Sequence, residues 1–478
     1  MRKNRIVKIE NIFAFFSLII FGLSLISENN SFAIYALLIM HIVIITMSIC
    51  KIEENLLLLL FEICILVFLS GGIFYNYFSG NSTGMENKFS KMVLRHILIC
   101  LYLSQLFVYI GYCFFASKWE KRNTIEKGNK IEMLLIQKIS FICFLVTIIP
   151  KILIESEKAR IIKSVGYVES YLGYSYNLSS IVLRIGQGYT LFYWIFLLTK
   201  PSRKRTFLVL GINLFISFFS LRSGKRSEFI LPILMIIVYL GFRDREENRR
   251  GYWLKKYWLI VGILLSPVLI VIMQWFSYFR LNIEMDLKFT EFLKSYFDSS
   301  SAEIIGYGKL LENQIPKHSY TFGLLWMVLV RNQSLIGNLL GLEPIANQTI
   351  DMALNGNSLG QTITYFVNSS IFFRGGGMGS CFIADAYQDF SYFGVIGISL
   401  FYGILLFYFY HYSGRNIYIH TLIFLMIEKL FLSPRESSFV FISSTFSLTN
   451  LIYLFGFMVL ISLLKKKGYG CRKKGDIQ

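Results

Sequence analysis

Positively charged side chains at the ends of apolar segments offer the clearest chemistry in this sequence. The turn LRSGKRSE at 221–228 carries Arg222, Lys225 and Arg226, just before a helix that we predict to begin at Ser227. Arginine presents a planar fork that suits bidentate contact with phosphate, and lysine adds a point charge. The helix N-terminus favours an anion at the same place. The turn therefore predicts a cationic pocket suited to a phosphate or diphosphate group.

Other arginines stand within or at the ends of apolar runs, or before a glycine run. They are Arg184, Arg280, Arg374 and Arg435. Any single cation of this kind is explained by an ion pair or by contact with a lipid headgroup. The acids available for pairing are Glu228, Asp385, Asp389, Glu428 and Glu436. The number of cations favours a site for a lipid-linked phosphate or diphosphate, although an anion pore needs the same cations.

A glycine-rich stretch at 374–394, RGGGMGSCFIADAYQDFSYFG, offers a second kind of chemistry. Its glycines let the backbone turn sharply and approach a ligand closely, and its serine is placed to cap a helix. In that helix Asp385 and Asp389 lie four residues apart, on one face. Paired carboxylates act as a general base or orient sugar hydroxyls, although two solvated acids give the same pattern. The residues that we expect to contact a glycan are Gly377, Gly379, Ser380, Tyr387 and Asp389.

Histidine is sparse, and His318 in IPKHSYTFG is the one that falls inside a long outer connection. It is a candidate base, or else a solvated loop residue. The sequence has no DxD or HExxH motif, and its seven cysteines are spread singly. It therefore predicts neither a metal site nor a disulfide framework. The absence of a P-loop and of a Rossmann glycine pattern indicates that no cofactor is used, so that the energy for any reaction arrives in the substrate.

The composition indicates a membrane protein. Of the 478 residues, 55% are hydrophobic, 17% are aromatic and only 16% are charged, where a soluble chain has about 25% charged residues. Too few polar side chains remain to cover a water-exposed surface, which excludes a soluble enzyme, a disordered chain and a secreted scaffold. In an apolar chain the net charge of +19 indicates asymmetry between membrane loops rather than a nucleic-acid partner.

Apolar segments long enough to cross a bilayer recur along the chain. A span needs about 20 mostly apolar residues, and this template matches about twelve times. Lys and Arg concentrate in every second connection, which places both termini in the cytoplasm. The sequence thus predicts an all-α polytopic membrane protein. Its predicted spans are 9–27, 31–50, 55–77, 93–117, 132–154, 180–199, 206–222, 227–242, 257–279, 390–410, 417–433 and 446–464.

One outer connection, 280–389, is far longer than the others. Loops beyond about 12–15 residues are usually functional or disordered, and the aromatic clusters of this loop argue against disorder. We expect an amphipathic helix at 287–297, a short apolar helix at 322–330, and a structured roof completed by the tyrosine-rich stretch 155–179. The chain therefore divides into 1–279 with the cationic turn 222–227, the outer loop 280–389, and 390–478 with the last spans and a basic tail.

The order of these features resembles that of the Wzy-type polymerases, which join oligosaccharide repeat units into O-antigen or capsular polysaccharide. The residues that carry the resemblance are LRSGKRSEFILPILMIIVYL at 221–240, the long outer loop, GGGMGSCFIADAYQDFSYFGVIGISLFYG at 375–403, and PRESSF at 434–439. The resemblance covers nearly the whole chain. This sequence has Asp385 where we expect glutamate in the A-x-A-Y element, which keeps the charge with a shorter reach.

The resemblance implies a metal-independent glycosyltransferase with a GT-C-like architecture, acting at the outer face of the bacterial inner membrane. The donor is a growing glycan on undecaprenyl diphosphate, and the acceptor is a new lipid-linked repeat unit. The seven cations would then hold the two lipid diphosphates. Asp385 is the first candidate for the base that activates the acceptor hydroxyl, and His318 is the second. A flippase and a chain-length regulator are further implied partners.

Three other functions remain open at this point. A lipid-linked oligosaccharide flippase also has about twelve spans and core basic residues, but flippases tend to show repeated halves and short loops. An O-antigen ligase shares the fold and differs in its acceptor. An anion channel or transporter is the third alternative. The dominant outer loop, and the lack of any apparent internal repeat, favour the polymerase.

Overall fold

The computed structural model of the chain describes residues 2–80, 84–118, 130–249, 251–255, 262, 271, 301–328, 335–412 and 416–475. Every regular element within these ranges is a helix. Among the described residues, nine helical segments are long and apolar enough to cross a membrane. They correspond to nine of the predicted spans, which confirms the polytopic all-α class.

The helices are numbered in chain order. Up to residue 246 they are α1 (Arg2–Ser27), α2 (Asn30–Cys50), α3 (Ile52–Ile65), α4 (Gly71–Phe78), α5 (Gly84–Lys88), α6 (Lys91–Lys118), α7 (Lys130–Val165), α8 (Ser180–Gln187), α9 (Tyr189–Leu198), α10 (Arg203–Ser220) and α11 (Ser227–Glu246). From residue 303 they are α12 (Glu303–Leu310), α13 (Gly323–Trp326), α14 (Leu335–Leu339), α15 (Ile350–Asn355), α16 (Leu359–Val367), α17 (Ser369–Phe373), α18 (Phe382–His411), α19 (Ile417–Leu430), α20 (Val440–Thr445) and α21 (Leu448–Gly475). A π-helix (Leu66–Ser70) joins α3 to α4, and 3₁₀ turns lie at Glu169–Leu172 and Leu221–Ser223.

The other three predicted spans do not qualify among the described helices. The span 257–279 lies outside the described residues apart from positions 262 and 271. Helix α11 covers 227–242 but carries charged residues at both of its ends. Helix α19 has 14 residues, a length of about 21 Å against a hydrocarbon core of about 30 Å. The helix predicted at 287–297 also lies outside the described residues.

Helices α6 and α18 pack closely against each other, because a glycine on each helix lets the two backbones approach. A Cβ atom at Gly111 would lie 2.3 Å from the Leu400 carbonyl oxygen, and one at Gly403 would lie 2.2 Å from the Val108 carbonyl oxygen. Small residues at helix interfaces allow such approach in membranes. The long helix that carries the glycine-rich motif is thereby fixed against the centre of the bundle.

Helix α18 is broken where the predicted span begins. Phe390 (φ −135°, ψ 18°) and Ser391 (φ 53°, ψ −147°) have non-helical backbone angles, which separate a short first part from the apolar second part. The prediction that Ser380 caps this helix is wrong. The N-cap is Cys381, whose Sγ accepts from the Ala384 N–H. The serine is instead engaged with a buried carboxylate, as described below.

A buried polar cluster supports the π-helix Leu66–Ser70. His41 Nδ1 lies 2.5 Å from Glu62 Oε1, and the other ring nitrogen of His41 lies 2.8 Å from the hydroxyl of the last π-helix residue. The backbone carbonyl of Phe68, within the π-helix, accepts from the Ser301 N–H at 2.9 Å. π-Helices often accompany functional sites, and this one is attached to the residues that precede α12.

Candidate functional site

Asp385 lies between the glycine run and the loop that precedes α20, and it joins the two. Its side chain is fully buried. One carboxylate oxygen accepts from Ser380 Oγ at 2.6 Å, and the other accepts from the Ser438 N–H at 2.9 Å and from Ser438 Oγ at 3.4 Å. A buried carboxylate needs such donors to offset the loss of hydration. Asp385 thus fixes the loop 434–439 against the start of α18.

Arg435 stands on this fixed loop with an exposed side chain. Its backbone carbonyl accepts from the Ser380 N–H at 3.4 Å, and its guanidinium lies 5.8 Å from the Phe68 ring centroid, within cation–π range. In the part of the chain that the structure describes, no ion pair includes Arg435. The adjacent Glu436 is half-buried, and burial raises the pKa of its carboxyl group. Arg435 is therefore an exposed, positioned cation that forms no ion pair within the described ranges, and its charge acts on the neighbouring Glu436 carboxyl group.

The glycine run brings the backbone close to this arginine. Gly379 has φ +76°, a left-handed conformation that favours glycine. A Cβ atom at this position would lie 3.1 Å from the Arg435 carbonyl oxygen, and one at Gly360 would lie 2.2 Å from the Gly379 carbonyl oxygen. Gly377 is exposed and has open space where a side chain would be. The exposed turn formed by Gly377 and Gly379 thus borders Arg435.

Asp389 anchors the loop at residues 319–321 to α18. Its carboxylate accepts from the backbone N–H groups of Tyr320 and Thr321 at 2.9 and 2.8 Å, and from Ser319 Oγ at 3.3 Å. The Thr321 hydroxyl also donates to the backbone carbonyl of Asp385 at 3.2 Å. With three donors already in place, this carboxylate serves the loop, a role that its spacing in the sequence did not indicate.

The same loop carries His318 to the neighbourhood of α18. The side chain is half-buried, and Nε2 lies 2.8 Å from the Leu354 carbonyl oxygen. A carbonyl accepts only, so Nε2 carries the proton in this contact, and Nδ1 is left as the acceptor of the neutral ring. The arrangement gives His318 a nitrogen that is able to take a proton, one residue away from the segment that Asp389 holds.

Tyr387 is buried among residues that the sequence did not single out. Its hydroxyl accepts from Lys309 Nζ at 3.2 Å, and its ring packs against His96 with centroids 4.3 Å apart. His96 Nδ1 lies 2.8 Å from the Tyr392 hydroxyl. A hydrogen bond to Glu312 raises the pKa of Lys309, which keeps this amine charged. The sequence signal that could have indicated this contact is Lys309, a single charge within the apolar stretch IIGYGKLL at 304–311.

Arg374 is paired with an acid that the sequence did not suggest. Its Nε and Nη2 lie 3.1 and 2.7 Å from one carboxylate oxygen of Glu169, and this contact lowers the pKa of Glu169. Glu169 belongs to residues 166–173, which we call the strap. On the same strap, the Tyr171 ring centroid lies 5.3 Å from Lys225 Nζ. The strap thus contacts both the cationic turn and the glycine run.

The remaining predicted cations are spread more widely. Arg222 is exposed, and its guanidinium lies 4.8 Å from the Phe219 ring centroid. Arg226 immediately precedes α11, which begins at the predicted Ser227. Arg184 is exposed on α8, and no contact of the described residues joins it to the others. Arg280 lies outside the described residues. The contacts therefore link Lys225 to Arg374 through the strap, and Arg435 to the other end of the glycine run.

The chemistry of this site is electrostatic. Positioned cations suit an anionic group, and a protein dipole or cation that needs no rearrangement stabilises developing charge most effectively. Within the described ranges, no three His, Cys, Asp or Glu side chains gather as they would around a metal ion. The arrangement is suited to holding phosphate beside an exposed glycine turn.

Comparison with known families gives a match over nearly the whole chain. The family model described as O-antigen polysaccharide polymerase Wzy matches residues 9–467. The match includes the cationic turn, the glycine run and the loop that carries Arg435. No curated protein matches the chain significantly, and no solved structure does.

Proposed function

As this chain belongs to the O-antigen polysaccharide polymerase Wzy family, we propose that it joins undecaprenyl-diphosphate-linked repeat units into O-antigen or capsular polysaccharide at the outer face of the bacterial inner membrane. It is a multi-pass membrane protein. The observation that carries the proposal is Arg435, an exposed cation on a loop that the buried Asp385 fixes. A leaving diphosphate needs such a preorganised positive charge.

The proposed reaction transfers the growing glycan to the new unit. A hydroxyl oxygen at the non-reducing end of the acceptor attacks the anomeric carbon of the donor glycan and forms a C–O bond. The bond from that carbon to the carrier diphosphate breaks, and its electron pair leaves with the diphosphate. The hydroxyl proton passes to a base. The reaction needs no external energy source because the donor carries a good leaving group.

Two residues are candidates for the base. His318 offers Nδ1, since its Nε2 faces the Leu354 carbonyl. Asp385 is fully buried and already accepts from Ser380 and Ser438. Its burial supports a positioning role for Asp385, whereas the half-buried ring of His318 is open to a substrate. We therefore propose His318 as the base and Asp385 as the residue that positions Arg435.

The other cations extend the proposed diphosphate sites. Arg374 and Lys225 lie along the strap, and the exposed Arg222 flanks them at the cationic turn. We propose that the lipid diphosphates also contact Arg184, Arg226 and Arg280. Two lipid diphosphates, one on the donor and one on the acceptor, must be accommodated at once, which a single arginine does not achieve.

The proposal requires the outer loop to lie outside the cytoplasm. Gln314 is exposed and precedes the loop that Asp389 anchors. We therefore expect the protein to fold normally with a reporter inserted beside Gln314. We expect an alkaline phosphatase fusion at Gln314 to be active and a fluorescent protein fusion at the same place to be dark. A fusion after Lys465 should give the opposite pair of results. Cytoplasmic behaviour of the Gln314 fusion would contradict the assignment of the site to the outer face.

A further inference from the structure

The strap at 166–173 lies over two of the cations that we assign to phosphate. Glu169 contacts Arg374 at 2.7 Å, and the Tyr171 ring lies 5.3 Å from Lys225 Nζ. We propose that the Glu169 carboxylate occupies the place at Arg374 that a phosphate group of the lipid-linked substrate takes, so that substrate binding displaces the strap. This inference rests on the proposed function. It means that Glu169 of the protein itself competes with the substrate phosphate for Arg374.

The chemistry of the contact supports a carboxylate that stands in for phosphate. A guanidinium recognises carboxylate and phosphate oxygens with the same planar donors. Arg374 directs two of its nitrogens, Nε and Nη2, at one oxygen of Glu169. A diphosphate carries more charge and more acceptor oxygens than a carboxylate, so it makes the stronger partner for the pair formed by Arg374 and Lys225.

Because the ion pair between Arg374 and Glu169 is exposed, its replacement by a phosphate group costs little free energy. The Arg374 side chain is 65% exposed and that of Glu169 is 30% exposed. Exposed ion pairs contribute little to stability because water and salt screen them. A ligand of higher charge therefore needs only a modest advantage to replace Glu169.

Glycines in left-handed conformations stand at both ends of the strap. Gly166 at its start has φ +96°, and Gly173 at its end has φ +90°, conformations that glycine adopts without strain. None of its residues is buried. Segments with few buried apolar contacts open at low cost in free energy. The two glycines are thus suited to act as hinges.

The glycine run provides the surface on which the strap rests. Gly375 has φ +98°, and a Cβ atom there would lie 2.5 Å from the Val168 carbonyl oxygen and 3.3 Å from Leu172 Cγ. The first glycine of the run is therefore matched to the strap backbone, whereas Gly379, at the other end, borders Arg435.

A direct binding measurement tests the inference. The full-length chain in lipid nanodiscs is titrated with farnesyl diphosphate, a soluble prenyl diphosphate. We expect Glu169→Gln to bind the probe about twofold to fivefold more tightly than the unmodified chain, since an exposed pair is lost from the competing state. Arg374→Gln should bind the probe more weakly. Glu132→Gln is the matched control, because Glu132 is a comparably exposed acid paired with Lys465 near the other end of α7.

Hydrogen exchange across the strap gives a second readout. We expect the probe to increase exchange at residues 166–173 in the unmodified chain, as the strap leaves its place. Weaker binding by Glu169→Gln, or increased protection of the strap by the probe, would make the strap a wall of the site and overturn the inference. Unchanged binding in both Glu169→Gln and Arg374→Gln would also overturn it. If Arg435→Ala still weakens binding in that case, the proposed function stands, whereas unchanged binding in all three variants would contradict the proposed function too.

Discussion

Replacement of Arg435 by alanine is expected to reduce polymer formation about 100-fold to 1,000-fold, the loss seen when one preorganised donor to a developing negative charge is removed. The residue is exposed and enters no ion pair in the described part of the chain, so the protein should still fold and insert. Polymer length in cells, and turnover by purified protein, measure the effect. Arg435→Lys should retain partial activity, because lysine keeps the charge and loses the planar fork.

Arg205→Ala is the control for this prediction. Arg205 is an exposed arginine in the first turn of α10, within the basic segment KPSRKR at 200–205. The Arg205→Ala substitution removes one positive charge at a position outside the proposed site. We therefore expect polymer of normal length and amount. Unchanged turnover by Arg435→Ala, at equal protein levels, would show that Arg435 does not stabilise the leaving diphosphate.

Replacement of Asp385 by asparagine is expected to have the second large effect. The amide keeps one acceptor oxygen and places an NH₂ group against a donor that the carboxylate now satisfies. Each buried donor left without an acceptor costs about 1–3 kcal/mol, so the thermal unfolding midpoint should fall clearly. Because the loop that carries Arg435 loses its anchor, kcat for elongation should fall and KM for the lipid-linked substrate should rise, with no change in the pH dependence of kcat.

The control for this substitution is Asp244→Asn. Asp244 is also buried, and it accepts from the backbone N–H groups of Trp253 and Leu254 at 2.8 and 2.9 Å. We expect a comparable loss of stability, with unchanged KM for the protein that remains folded. If Asp385→Asn instead keeps its unfolding midpoint, loses kcat and alters the pH dependence of kcat, then Asp385 is the base and the positioning role is wrong.

Hydropathy was sufficient to predict most of the bundle, because an apolar run of span length has few alternatives in a bilayer. Nine predicted spans were recovered in this way. The break in α18 was not predicted, since Phe390 and Ser391 are ordinary residues for a helix and their backbone angles depend on tertiary contacts. The short α19 shows the same limit, since its apolar pattern continues beyond the end of the helix.

The sequence was sufficient to predict which types of residue form the site. It was not sufficient to predict which of these side chains contact one another. Glu169 lies 205 positions before Arg374, and no local pattern connects them. Asp385 and Asp389 have the same charge and lie on the short first part of α18, yet one is buried between two segments and the other holds the loop at residues 319–321. Spacing indicates which side chains share a helix face, whereas burial depends on what the rest of the chain brings to that face.

The most direct test of the central claim is chain elongation by the purified protein. The full-length chain is reconstituted in vesicles with undecaprenyl-diphosphate-linked repeat units as the only glycan, and products are separated by length. We predict a ladder of lipid-linked glycans with release of one carrier diphosphate for each unit added, and loss of both in Arg435→Ala. Repeat units that only cross the bilayer, or elongation that requires a different acceptor, would contradict the polymerase and point to a flippase or a ligase.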